Sequence, residues 1–92
     1  MAVKNKMFQP GKILHEVIVG AFRAQGTSFA EWCRNEGVNV NTASLATYGQ
    51  SGGARGQKLL ERMIADANPA TVEAAYTKRI VMEAERLKEA AA

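Results

Sequence analysis

A single cysteine among 92 residues excludes an internal disulfide and suits a reducing compartment. A single histidine beside it leaves no paired ligand spacing, so no metal site is expected. A nucleophile pair of Cys33 and His15 has no third group to orient it. The glycines between Gln50 and Gly56 follow no strand. They match neither the G-x-x-x-x-G-K-[ST] nor the G-x-G-x-x-G spacing, so a nucleotide loop is excluded. The longest apolar run, Val17 to Phe22, falls far short of the ~20 residues a membrane span needs. Met1 to Gln9 is polar and basic, without the apolar centre of a signal peptide. The expectation is a cytoplasmic protein that is not an enzyme, with no cofactor, no small-molecule substrate and no membrane partner.

What the chain does contain is apolar periodicity. Hydrophobic residues make up 47% and charged residues 23%, which is enough to fold and too apolar for disorder. A chain this short makes one core. Twelve Lys and Arg against nine Asp and Glu give a net charge of +3, which permits a nucleic-acid partner without demanding one.

The spacing predicts five helices and no sheet. Ile13, Leu14, Val17, Ile18, Ala21 and Phe22 recur at three and four residues, the pattern of one helix face from about Lys12 to Ala24, and Gly26 stops it. Ser28 and Glu31 have capping-box spacing and open a second helix, whose inner residues are Phe29, Trp32 and Cys33 and which Gly37 ends. Asn39 is the expected cap of a third helix reaching Tyr48, with Ala43, Ala46 and Leu45 at helical spacing. That segment is poor in helix propensity, because its Asn, Thr and Ser residues compete with the backbone. Gln50 to Gly56 reads as a flexible turn. Leu59, Leu60, Met63, Ile64 and Ala67 mark a fourth helix, and Asn68-Pro69 starts a fifth running to about Glu89. The expected organisation is a basic arm over residues 1–11, carrying Lys4 and Lys6, a helical domain over 12–68 and a separate C-terminal helix over 69–92.

Ser28 to Tyr48 has the layout of a helix-turn-helix: a short capped helix, a glycine-centred turn and a second helix, with the small Cys33 four residues before Gly37 at the crossing. An ordinary helical hairpin shares that pattern. On the first reading Val38, Ala43 and Ala46 face inward, while Asn41, Thr42, Ser44, Thr47 and Tyr48 face out, where amides and hydroxyls suit base edges and phosphates. Arg55 and Lys58 sit at the start of the fourth helix beside glycines, an arrangement that can clamp phosphate. The candidate DNA-binding set is therefore Asn39, Asn41, Thr42, Ser44, Thr47, Tyr48, Gln50, Ser51, Arg55, Gln57 and Lys58. Val72, Tyr76, Ile80 and Leu87 form a stripe on the fifth helix that is expected to hold a homodimer, since paired half-sites favour paired proteins; the alternative is that the helix folds back and completes its own domain's core.

The segment Ser28-Phe29-Ala30-Glu31-Trp32-Cys33-Arg34, then Gly37, then Arg55-Gly56-Gln57, resembles the small phage-associated helix-turn-helix proteins of BcepMu-type Mu-like phages. The resemblance covers roughly residues 26–64. It implies a helical DNA-binding fold and a regulatory role in a mobile element. The third helix departs from that family in having no basic residue, and the long fifth helix has no counterpart in the resemblance. A helical protein-interaction module, an adaptor or inhibitor that no longer reads DNA, is the alternative.

Overall fold

The computed structural model describes residues 8–50 and 53–91. Among them lie five helices and no strand: α1 (Lys12–Ala24), α2 (Phe29–Glu36), α3 (Val40–Thr47), α4 (Ala54–Asp66) and α5 (Pro69–Ala91).

The stripe of α1 forms the centre of the core. Leu14, Val17, Ile18, Ala21 and Phe22 are all buried, and α1 packs against α2, α3 and α5. Helix α2 is capped as expected on one side only. The Ser28 hydroxyl accepts from the Glu31 N–H, but the Glu31 carboxylate accepts from the Thr27 hydroxyl instead of returning to Ser28. Half of the capping box is thus exchanged for a second side-chain contact.

The end of α2 sets the angle of everything after it. Gly37 takes a left-handed conformation (φ 70°), which brings its N–H to the Arg34 carbonyl and the Val38 N–H to the Cys33 carbonyl. This pair of bonds is a Schellman motif, and it satisfies two of the carbonyls left open at the helix end. The chain then turns through Gly37, Val38 and Asn39 into α3. Asn39 Oδ1 accepts from the Asn41 N–H, and that cap offsets part of the poor propensity of α3.

Helix α4 starts at Ala54, earlier than its apolar pattern implies, so Gly56 lies inside the helix and is buried rather than part of a loop. Leu59, Leu60, Met63 and Ile64 form its inner face, and α4 packs against α3 and α5. Asn68 does two jobs at the next junction. Its backbone takes a left-handed φ of 78°, and its side chain accepts from the N–H groups of Ala70 and Thr71 at the start of α5.

Two expectations are corrected. Residues 8–11 are no free arm. Phe8 is buried and meets Tyr76 edge-on at 5.3 Å, the Gln9 N–H donates to the Tyr76 hydroxyl, and the Gly11 N–H donates to the Thr47 carbonyl. This short strap ties the entry of the chain to α3 and α5. Lys4 and Lys6 lie outside the described residues. Nor is α5 separate from the domain before it, because Val72 and Tyr76 are buried in the same core as Phe8, Leu14 and Met63. Those two residues therefore complete the protomer's own core and are not free to hold a dimer. Ile80 and Leu87 remain exposed, at 41% and 69%.

Candidate nucleic-acid interface

Helix α3 is held from beneath by small residues. Ala43 and Ala46 are buried where α3 lies on the core, so the helix sits close to its neighbours. Its outward face carries Val40, Asn41, Thr42 and Leu45, with Tyr48 at its end. Asn41 and Thr42 stand exposed as expected, and Ser44 is half-buried. Gln50 is exposed just beyond, its backbone N–H tied to the Leu45 carbonyl. Ser51 lies outside the described residues.

Thr47 is a correction. It is fully buried, and its hydroxyl donates to the Ser44 carbonyl while standing 2.7 Å from His15 Nδ1. Since the hydroxyl proton goes to Ser44, the oxygen accepts from an Nδ1–H of His15. Thr47 is a joint between α3 and α1, not a reader of anything outside. The sequence held the signal: Thr47 lies four residues after Ala43 and so shares its inward face. By the same periodicity Leu45 points away from Ala43, and the structure leaves it 44% exposed.

His15 is clasped from three sides. Its ring stacks on Tyr48 at 4.5 Å and meets Phe29 edge-on at 5.1 Å, in addition to the Thr47 bond. Burial pushes its pKa below the ordinary value, against a smaller opposing pull from Glu16. Tyr48 thus has one ring face committed to His15, yet keeps 41% of its surface open at the end of α3.

Between the α2–α3 turn and the start of α4 runs an open groove of about 690 Å³. Val38, Asn39 and Thr42 form one wall, and Arg55, Lys58 and Arg62 stand on the other. Arg62, which periodicity alone does not mark, is committed elsewhere. It pairs with Glu36 and its guanidinium lies 5.7 Å from the centre of the Trp32 ring. Trp32 in turn donates its indole N–H to Asp66 at 2.8 Å, so α2 and α4 are pinned together behind the groove. Arg55 and Lys58 are exposed, and no acidic partner holds either one among the described residues. The first turn of α4 has no acidic residue, and among the described residues no side chain caps its positive end. Gln57 is exposed on the same turn.

The remaining chemistry is sparse. Cys33 is fully buried and burial raises its thiol pKa, which disfavours the thiolate that nucleophilic or metal-binding roles require. Among the described residues no three His, Cys, Asp or Glu side chains gather as a metal site, and no helix is long and apolar enough to cross a membrane. Comparison with family models, with curated proteins and with solved structures finds no match to this chain.

Proposed function

We propose that this chain binds double-stranded DNA, with α3 in the major groove and Arg55 and Lys58 on backbone phosphates, as a transcriptional regulator of a phage or other mobile element. One observation carries the reading. Two cations without an ion-pair partner among the described residues stand at the start of α4, across a groove from Asn39 and Thr42, and the first turn of α4 holds no acidic residue. A polyanion in that groove would meet both cations and the positive end of the α4 dipole while its base edges faced α3. Asn41 and Thr42 supply the donor and acceptor groups for base edges. The exposed Val40 and Leu45 suit apolar contact with thymine methyl groups.

A second reading has its own observation. The outer face of α3 has no cation and exposes Val40, Leu45 and Tyr48 together, a composition that also suits a protein surface. Fluorescence anisotropy with a labelled duplex pool separates the two. Phosphate binding by Arg55 and Lys58 adds a slope of about −2 to log K against log salt, at roughly 0.9 per phosphate neutralised. Binding without salt dependence, or no binding to any duplex, favours the interaction module.

A further inference from the structure

We infer that the distal part of α5, residues 80–91, pairs side by side and in parallel with the same segment of a second copy of this chain. This inference rests on α5 alone and is independent of the DNA reading.

Tyr76 is the last buried residue of α5, and Arg79 still reaches α1 through its ion pair with Glu16. Beyond Arg79 every residue of the helix is exposed except Glu83, which is half-buried. The helix nevertheless continues through Ala91, roughly 18 Å further at the helical rise. An isolated helical segment of this length is marginal in water.

The exposed segment has a seam. Ile80 and Leu87 are seven residues apart, and Ala84 and Ala91 follow each of them by four. These are alternating core positions of a two-stranded coil, with large residues at one and alanine at the other. The alanines let the two backbones approach closely, and Val81 widens the apolar strip on one side.

Charge then selects the partner and its direction. On this register Glu83 and Lys88 flank the seam on opposite sides, five residues apart. In a parallel pair the residue before one core layer faces the residue five further along in the partner, so Glu83 of each copy meets Lys88 of the other. The two-fold axis makes two such pairs. Glu83 already accepts from Arg86 within the helix at 2.9 Å, which leaves its second carboxylate oxygen available to a lysine. A second copy thus satisfies both the apolar strip and the charges beside it.

The test uses the full chain in analytical ultracentrifugation, with circular dichroism as a check on folding. The native chain should move from monomer to dimer mass as concentration rises. Ile80→Glu and Leu87→Glu lie on exposed positions, so each should keep the helicity and the melt of the protomer core, which ends at Arg79, and remain monomeric. Glu83→Lys alone and Lys88→Glu alone should each weaken association roughly tenfold or more, as two pairs turn repulsive. Mixing those two variants should restore association, because the mixed dimer has both pairs attractive again. A native chain that stays monomeric throughout overturns the inference. So does a dimer that survives both apolar substitutions, or a mixture that associates no better than its components.

Discussion

Single side chains divide here into those that hold the fold and those left free to bind, and the two sets are predicted to respond differently to substitution. Arg55 and Lys58 have no ion-pair partner among the described residues, so Arg55→Ala and Lys58→Ala should leave thermal stability unchanged and lower affinity for every duplex alike. Each should reduce the salt slope by about one. Asn41→Ala and Thr42→Ala should instead change which duplex is preferred, since base contacts specify while phosphate contacts position. Competition between a selected and a scrambled duplex reads that difference, and an unchanged preference would remove α3 as the reader. Thr47→Val should act only on stability, because it strips the acceptor from His15 inside the protein, at about 1–3 kcal/mol. His15 adds a pH dependence with a defined sign. Its folded pKa lies below the ordinary 6.5, so on acidification the unfolded chain takes up the proton first. Stability from this residue is therefore complete above about pH 6.5 and is lost as pH falls through the interval down to the folded value. Denaturant melts at about pH 7.5 and about pH 5 should show a larger loss for the native chain than for His15→Gln. Equal losses would mean that His15 titrates alike in both states.

At the scale of elements, helix ends rather than helix interiors fix the arrangement. The stripes of α1 and α4 are visible in the sequence because their apolar residues recur over three turns and have a single core to face. The caps at Ser28, Asn39 and Asn68 are visible too, since each is a short polar residue just before an apolar pattern. The start of α4 is only half visible: Arg55 and Lys58 are read at its opening, yet Gly56 is read as turn, because it is the one residue of Ala54 to Lys58 that reaches the core and a buried glycine carries no periodic signal. The strap at Phe8 is equally silent: one aromatic residue in a polar segment has no period. Two glycines test the argument about ends. Gly37 has open space around it but a φ of 70°, so Gly37→Ala should destabilise by about 1–2 kcal/mol through backbone strain alone. Gly20 lies mid-helix in α1, exposed and with equally open space. Gly20→Ala should stabilise by about 0.5–1 kcal/mol, from helix propensity and a less free unfolded chain. Thermal melts of the two variants should therefore shift in opposite directions. A shift of the same sign in both would show that the turn at Gly37 accommodates a side chain.

For the whole molecule the open question in the sequence was which surface the stripe of α5 covers. Periodicity says that a face is apolar, but not whether the residues covering it come from the same chain. Val72, Tyr76, Ile80 and Leu87 follow one another along similar faces of the helix, so a reading by spacing treats them as one stripe. The structure divides that stripe between Tyr76 and Ile80, because α1 and the strap at Phe8 cover the helix only that far. The division predicts two different truncations. Ending the chain after Asn68 removes Val72 and Tyr76, whose burial is worth about 1.5–3 kcal/mol each, and uncovers Phe8 and the α1 face besides. A single small domain has about 5–15 kcal/mol in total, so that form should lose its cooperative melt. Ending it after Arg79 keeps both buried residues and the ion pair to Glu16, and discards turns that are exposed apart from the half-buried Glu83. That form should melt cooperatively, with its remaining helices intact by circular dichroism, and it should still bind duplex DNA, since Arg55, Lys58 and α3 are untouched. A cooperative melt in the shorter form would mean that α1 to α4 suffice as a core. Loss of folding in the longer one would mean that the distal turns of α5 support the protomer itself.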